Sequence, residues 1–493
     1  MSWEDVNGVA NSLHIVTIEE TLTSFEQTET LIMNTQLPPA SSRSAFLEKG
    51  YWIIAPLDYM DTHARKLGDI FSNYILGAEK PWIFVSDPQA IQQIFTNEVF
   101  EAPGSLNKLL APLTGDYSIF MLEGDRHKRE RKLLMPSFHG ERMRDYGELI
   151  TDITHKIMNK LPLKETFIAR DTLQAISLDV ILKVVFGVYE GKRYSQLKPL
   201  LAGMLEIGKS PLTSSFLFFP ILQQNLGFWS PWGYFLKQRQ KIDELLYAEI
   251  RERRENPDES RKDILNLMIA ARDEEGNPMT DQELRDELLT LLFAGHETTA
   301  TAMSWALYWI HRQPEVYQTL MQELTSLPSD ANGMDIFRLP YLTAVCQETL
   351  RIYPVGMLTF ARTNKESVDL MGYQLPPKTL VVGCIYLTHR REDLYPQADQ
   401  FKPERFLEHK FSPYEFLPFG GGSRLCLGMA LAQYEMKLVL ATILLNYELN
   451  LLEKQPVKAV RRGVTLAPKG GIKMELLNQR PQPQKTIDLA RTV

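Results

Sequence analysis

The stretch that decides the fold is FLPFGGGSRLCLGMALAQYEM, from Phe416 to Met436. One cysteine, Cys426, stands between a glycine-dense loop and a run of residues that favour a helix. Glycines permit backbone angles and close approaches that side chains forbid. The run LGMALAQYEMKLVLATILL is apolar on most sides, which predicts a buried helix with Cys426 at its N-terminal end. Free amides and the helix dipole stabilise an anion there, so the pattern favours a thiolate.

Two plain interpretations of this loop stay open on the cysteine alone: an inert buried thiol, or a phosphate loop that lacks its closing GK[ST]. The ordered set is more specific, because it resembles the haem-thiolate signature FxxGxRxCxG of the cytochrome P-450 superfamily at every fixed position: Phe419, Gly422, Arg424, Cys426 and Gly428. The resemblance implies a b-type haem (heme b) whose iron takes Cys426 as its axial ligand. Gly428 leaves room for a flat group, and Arg424 offers a cation to an acidic one.

A second stretch, LLTLLFAGHETTATAMSWALYWIHR, predicts a long helix through the core. Thr280 and Glu283 form a capping box, and the pattern runs on for roughly 30 residues, about 45 Å. Gly295 and Thr298 are expected to loosen the helix locally. A buried helix with a packing glycine and threonine is the simpler alternative. AGHETT resembles the family's acid–threonine motif, which implies that Glu297 and Thr298 deliver protons.

A third stretch, PYLTAVCQETLRIYP, places Glu348 and Arg351 on one helix face, because they are three residues apart. Such a pair is most often a surface ion pair. It also matches the family's ExxR, and FKPERF supplies Arg405. The resemblance implies a buried Glu–Arg–Arg network that braces the cysteine loop.

A fourth stretch, EGDRHKRERKLLMPSFH, carries His127 and Arg131 four residues apart. A solvated basic helix face is the plain interpretation. The pair also resembles the family's propionate-binding pair, with histidine where many relatives have tryptophan. Arg362, in FARTN, matches another propionate-binding position, so with Arg424 there are four candidate donors for two carboxylates.

Composition limits the class of protein. The 493 residues are 44% hydrophobic with a formal charge of −7 and no long basic run, which argues against nucleic acid as a partner. The three cysteines, Cys346, Cys384 and Cys426, match no zinc spacing and favour a reducing compartment. No N-terminal apolar run is long enough for a signal peptide or membrane anchor, so we predict a cytoplasmic protein.

The fold class that follows is mainly α with small β-sheets, in a single cytochrome P-450 fold domain. We expect a poorly ordered N-terminal extension over residues 1–32, the haem domain over 33–475 and a flexible C-terminal tail over 476–493. Met33 is an alternative start. WIFVS, from Trp82 to Ser86, predicts a strand that precedes a helix.

The resemblance implies a haem-thiolate monooxygenase that inserts one oxygen atom of O2 into a lipophilic substrate, such as a fatty acid or terpene. We find no dinucleotide motif, so electrons are expected from a separate ferredoxin or flavodoxin with its reductase. A basic cluster is the candidate docking patch: Arg126, Lys128, Arg129 and Lys132. The protein is expected to be a monomer. The rival functions are a peroxide-driven or isomerising haem-thiolate enzyme and a non-enzymatic haem sensor.

Overall fold

The structure is a computed structural model that describes residues 37–74, 80–138, 142–188, 190–206, 223–225, 227 and 230–480. The helices are α1 (Ala45–Ile54), α2 (Pro56–Leu67), α3 (Pro88–Thr96), α4 (Ala111–Thr114), α5 (Gly124–Leu134), α6 (Arg142–Met158), α7 (Ala169–Val184), α8 (Gly191–Glu206), α9 (Pro231–Glu255), α10 (Ile264–Ala270), α11 (Asp281–Arg312), α12 (Pro314–Thr325), α13 (Gly333–Phe337), α14 (Pro340–Ile352), α15 (Ile385–Thr388), α16 (Arg405–Glu408) and α17 (Met429–Asn446). The strands are β1 (Ile70–Asn73), β2 (Trp82–Val85), β3 (Phe100–Glu101), β4 (Thr166–Ile168), β5 (Arg362–Asn364), β6 (Val368–Leu370), β7 (Tyr373–Leu375), β8 (Leu380–Gly383), β9 (Tyr447–Leu451), β10 (Ala459–Arg462), β11 (Thr465–Pro468) and β12 (Lys473–Gln479).

The longest described helix, α11, passes through the main hydrophobic core. Its capping box forms as the sequence predicts: the Glu283 amide donates to the Thr280 hydroxyl at 3.2 Å, and the Thr280 amide donates to the Glu283 carboxylate at 2.7 Å. Beyond its first turn most residues are buried, because α7, α17, α14 and α9 pack around it. A helix that is apolar on every side is expected to lie in such a core.

The second helix that carries the site is α17. It begins at Gly428, its N-cap, and is buried over nearly all of its length. It packs against α6 and α11, which explains why the sequence after Cys426 is almost free of charge. The predicted buried helix after the cysteine is therefore present.

A five-stranded sheet in the order β1-β2-β8-β5-β3 lies beside the helices, with β2 and β8 parallel and the other pairs antiparallel. Both of its faces are covered. Phe84 and Val382 belong to one apolar cluster, while Ile83 and Val381 belong to another. Burial on both faces explains the unbroken apolar run of the predicted strand at Trp82.

Two smaller sheets complete the surroundings of the site. The hairpin β10-β11 reaches the core because the Leu466 amide donates to the Val355 carbonyl at 2.9 Å, and the Trp305 indole donates to the Leu466 carbonyl at 3.3 Å. This hairpin carries Arg462 to the flank of α11. Strands β4, β12 and β9 form the second of these sheets in that order, and β6 and β7 form a separate hairpin.

The expected domain boundary at residue 475 cuts through strand β12. The strand continues to Gln479, and Leu476 is fully buried opposite Leu449. Residues 476–479 therefore belong to the folded sheet and not to a tail. Residues 1–32, Met33 and residues 481–493 lie outside the described residues. Within the part of the chain that the structure describes, no helix is both long and apolar enough to cross a bilayer.

Candidate haem-thiolate active site

The cysteine loop is a closed turn that begins at Leu417 and ends at α17. The Gly420 amide donates to the Leu417 carbonyl at 2.9 Å, and the Cys426 amide donates to the Phe419 carbonyl at 3.0 Å. Gly422 has a φ of 61°, in the left-handed region that favours glycine. The backbone therefore holds Cys426 at a fixed place, two residues before the first turn of the buried helix.

The Cys426 side chain lies in a recess of the protein. It is accessible, yet burial is the largest influence on its pKa, so protein surrounds it on most sides. Burial raises this pKa, while the Gly428 amide, which donates to the sulfur, and the Arg131 guanidinium lower it. The helix start therefore favours a thiolate, as the sequence predicts, while burial of the thiol acts in the opposite direction and is the larger effect. A bound metal ion deprotonates a thiol outright, so the thiolate depends on coordination.

Four basic side chains gather at one side of this loop. Burial, together with the charges of Arg424, Arg131 and Arg362, lowers the pKa of His127 to about 4. Burial and the charge of Arg424 lower the pKa of Arg362 to about 10. Burial and Arg131 lower the pKa of Arg424 to about 10, against the opposing charge of Glu123. The sequence places these four residues in three segments, with His127 and Arg131 together on α5, and the fold brings the segments together.

Backbone carbonyls fix the guanidinium groups of this cluster. Arg424 donates to Ile119 at 2.6 Å, to Ala102 at 2.7 Å and to Leu122 at 2.5 Å. Arg131 donates to Leu425 at 2.8 Å, inside the cysteine loop.

Arg362 is fixed in the same way, because it donates to Gly421 at 3.0 Å and to Phe360 at 2.7 Å. Cations held together without a matching carboxylate repel each other, and a dianionic ligand removes that cost.

These residues fit the haem that the sequence implies. Cys426 can ligate the iron, and the basic cluster can receive two propionates. A side chain added at Gly428 would meet no atom within 4 Å, which leaves space against the first turn of α17. The Phe419 ring packs against the edge of the main core.

The middle of α11 is partly accessible on two faces: Phe293 and Glu297 lie on one, and the stripe Leu291, Ala294 and Thr298 lies on another. Leu292 and Thr299 are buried. Residues spaced by three and four lie on one helix face, so the stripe borders an internal space. The Thr298 hydroxyl donates to the Ala294 carbonyl, one turn earlier on the same helix.

Gly295 serves packing, because a side chain there would come 2.9 Å from Ile181 of α7. The helix is continuous through this glycine.

Glu297 is tethered on a different side of α11. Arg170 donates to its Oε1 at 2.8 Å, Gln174 donates to its Oε2, and the Arg462 Nε lies 3.4 Å from Oε1. Successive residues of a helix are turned by about 100°, so Glu297 and Thr298 do not share one wall. The carboxylate faces α7 and the β10-β11 hairpin.

Glu348, Arg351 and Arg405 form one buried network. Arg351 donates from Nε to Glu348 at 2.7 Å, and Arg405 donates from Nε to the other carboxylate oxygen at 3.2 Å. Glu348 and Arg351 are both 0% exposed, so the pair is not a surface feature. Arg351 also donates to the His389 carbonyl at 2.7 Å and to the Ala398 carbonyl at 2.9 Å.

Sequence reasoning missed several groups that shape the site. They are the carbonyls that hold Arg424, the three partners of Glu297, and His389. Backbone carbonyls carry no sequence signal. Arg170, Gln174 and Arg462 reach Glu297 only through tertiary structure. His389 gave no clear signal, because it follows an apolar run but directly precedes the charged residues Arg390 and Arg391.

A mainly helical fold that presents an enclosed cysteine inside a basic cage defines the class of haem-thiolate proteins. The family model described as Cytochrome P450 matches residues 47–475. The Mycobacterium tuberculosis protein described as putative cytochrome P450 135B1 is 34% identical over 443 residues, which cover 89% of this chain and 91% of the relative. Putative cytochrome P450 135A1 of the same species is 32% identical over 451 residues, or 91% of this chain and 97% of the relative.

A solved structure, retinoic acid bound cyanobacterial CYP120A1, superposes with a TM-score of 0.78 at 27% identity over 91% of this chain and 100% of that chain. The chain belongs to the cytochrome P450 family. It is therefore a haem-thiolate monooxygenase that uses O2, a substrate and a redox partner.

Proposed function

We propose that this enzyme binds haem b through Cys426 and inserts one oxygen atom of O2 into a lipophilic substrate, such as a fatty acid or terpene. The observation that carries the proposal is the arrangement of the accessible Cys426 thiol beside the four-residue basic cluster. Bound haem supplies the activation of dioxygen. The protein tunes the electron density at the haem, provides protons and positions the substrate.

Each part of the site has a separate task in this proposal. His127, Arg131, Arg362 and Arg424 hold the propionates. Thr298 holds a water that donates a proton at the accessible stripe of α11. Glu297 links that water to solvent, and its tether to Arg170 and Arg462 must exchange partners when it passes a proton on. This pair favours an O2-dependent enzyme over a peroxide-driven one.

The substrate class rests on the walls of the enclosed space. Leu291 and Ala294 line the stripe, and the rings of Phe120 and Phe360 meet 5.5 Å apart beside the basic cluster. The structural neighbour was solved with retinoic acid, an apolar isoprenoid with one carboxylate. The aromatic segment Ser214 to Phe235, also a candidate for substrate access, lies partly outside the described residues.

The proposed electron carrier is an acidic ferredoxin or flavodoxin that docks near α5. The patch is partly neutralised by the chain itself. Arg129 forms ion pairs with Asp273 at 2.7 Å and with Glu283 at 3.3 Å, so its charge is not available to bind an electron carrier. Lys128 and Lys132 are exposed and pair only with exposed acids, which can exchange partners at little cost.

A ligand panel tests the substrate class. Haem-loaded protein is titrated with retinoic acid, a long-chain fatty acid, a cyclic terpene and, as the polar control, a hexose. We expect a shift of the haem absorption when a lipophilic compound displaces the sixth ligand, and no shift with the hexose. Turnover of the best compound under ¹⁸O2 must then place one labelled atom in the product. Shifts with the hexose alone, or product formed only with added peroxide, contradict the proposal.

Charge reversal tests the docking patch. We expect Lys128→Glu with Lys132→Glu to raise the KM for an acidic ferredoxin and to weaken the dependence of that KM on salt, while kcat changes little. Lys66→Glu, on α2, is the matched control. Equal KM values for the two variants would remove α5 as the docking surface.

A further inference from the structure

His389 joins two parts of the molecule that the sequence keeps apart. It follows α15 directly and is fully buried. Its backbone carbonyl accepts a hydrogen bond from Arg351 at 2.7 Å, and its ring Nε2 accepts one from the Leu417 amide at 3.0 Å. Arg351 belongs to the buried Glu348 network, and Leu417 is the first residue of the cysteine loop.

The ring is suited to act as an acceptor. Burial and the charge of Arg351 lower the pKa of His389 to about 3, while the carbonyls of Arg351 and Leu350 act in the opposite direction. The ring is therefore neutral at ordinary pH, and Nε2 keeps a lone pair for the Leu417 amide. Stacking on Phe416, with ring centroids 5.4 Å apart, fixes the plane of the ring.

The bond acts at the base of the loop. The Leu417 carbonyl accepts the Gly420 amide at 2.9 Å, and the Phe419 carbonyl accepts the Cys426 amide at 3.0 Å. A continuous series of hydrogen bonds and short turns therefore runs from Arg351 through His389 to Cys426.

We propose that His389 is a positioning residue: its Nε2 fastens the start of the cysteine loop to the Glu348–Arg351 pair and so fixes the position of the Cys426 sulfur, which would hold the haem iron. The role of the sulfur rests on the proposed function, whereas the fastening of Leu417 does not. The imidazole of His389 would thus connect the Glu348–Arg351–Arg405 network with the loop that carries Cys426. A buried amide without its acceptor is destabilised, so the loop opens more often without the ring.

Two substitutions separate the acceptor from the volume of the ring. His389→Gln keeps an acceptor oxygen near the place of Nε2. His389→Phe keeps an aromatic ring against Phe416 but removes the acceptor. Phe416→Leu is the reciprocal control, because it removes the stacking and keeps the imidazole.

The experiment uses the full-length haem-loaded protein and two measurements. Amide hydrogen exchange is followed at Leu417 and Gly420. In parallel, the ferrous carbonyl spectrum is followed in mild denaturant. The fraction of protein molecules whose haem iron keeps its thiolate ligand reports the position of the sulfur. We expect His389→Phe to exchange at Leu417 roughly tenfold faster and to lose the thiolate-ligated form sooner. His389→Gln should restore most of both properties, and Phe416→Leu should keep protection at Leu417.

Equal exchange and equal spectra for His389→Phe and the unchanged protein overturn the proposal. Equal losses in His389→Phe and His389→Gln also overturn it, since they show that the ring only fills space. If His389→Phe does not fold, His389→Gln and Phe416→Leu still decide between an acceptor and a packing role through the Leu417 exchange rate. Failure of the proposed function is distinct: the unchanged protein would then show no thiolate-ligated carbonyl spectrum, while the exchange result would stand.

Discussion

Thr298 is the residue whose hydroxyl the proposed function assigns to proton supply. It lies on the accessible stripe of α11 and is held by the Ala294 carbonyl. We expect Thr298→Ala to bind haem normally and to keep consuming reductant, while the product formed per electron falls several-fold. Reduced oxygen then leaves as peroxide, which is measured together with reductant use and product.

Thr299→Ala is the matched control for this prediction. Thr299 is buried on another side of the same helix, turned by about 100°. The product formed per electron should change less in Thr299→Ala than in Thr298→Ala. Loss of coupling in Thr299→Ala alone would move the relay by one residue, and no loss in either variant would remove the threonine from the account.

Single residues also show how far sequence reasoning reaches. The family's motifs single out Cys426, Arg424 and Thr298 in the sequence, because each belongs to a local pattern. The pKa of Cys426 could not be predicted, since burial is a property of the whole fold and here exceeds the local effect of the helix start. The tether of Glu297 was equally hidden, because Arg170 and Arg462 lie far away in sequence.

At the scale of elements, α14 depends on its buried ion pair. We expect Glu348→Ala to lower the free energy of unfolding by about 3–5 kcal/mol and to reduce haem loading, because it leaves the fully buried Arg351 without its carboxylate. Denaturant unfolding and the haem content of the soluble fraction measure both effects. Asp125→Ala, which breaks the exposed pair with Lys128, should change stability by less than about 0.5 kcal/mol. Equal effects of the two substitutions would contradict the bracing role.

Helices α5 and α11 bring two buried carboxyl groups together. Burial and the charge of Glu283 raise the pKa of Glu130 to about 7, against Arg129 and Arg126. Burial and the charge of Glu130 raise the pKa of Glu287 well above its usual range; Asp286 and Glu283 add to this, and the Ile119 amide opposes it.

The folded state therefore binds more protons than the unfolded state between pH 4.5 and about 7. The contribution of these two carboxyl groups to stability is fully present below this window and is lost as pH rises through it, by up to about 1.4 kcal/mol per pH unit for each proton. Glu287→Gln should flatten this loss, as urea unfolding at several pH values will show. Parallel pH profiles for the variant and the unchanged protein would refute the assignment.

The elements themselves were predictable to different degrees. The long helix α11 follows from its capping box and its apolar run, both of which are local. The order of the five-stranded sheet does not follow, because β2 pairs with β8 across nearly 300 residues and short strands carry no pairing code.

At the scale of the whole molecule, the chain beyond residue 475 contributes to stability. Leu476 is fully buried, and β12 pairs with β9 through Gln479. We expect truncation after Glu475 to cost at least about 2 kcal/mol relative to truncation after Arg480, because it exposes an apolar side chain and opens part of a strand. Thermal unfolding of the two truncated proteins measures the difference. Equal stabilities would return the boundary to residue 475.

The central claim is that the whole fold serves to hold one thiolate against a haem iron. The most direct test is the absorption spectrum of the ferrous carbonyl complex. In this family, thiolate ligation of the haem iron gives that complex a strongly red-shifted main band. The unchanged protein should show this band, Cys426→His should lose it while still binding haem, and Cys346→Ala and Cys384→Ala, at the two buried cysteines, should keep it. A band that persists in Cys426→His, or that disappears in either control, would contradict the claim.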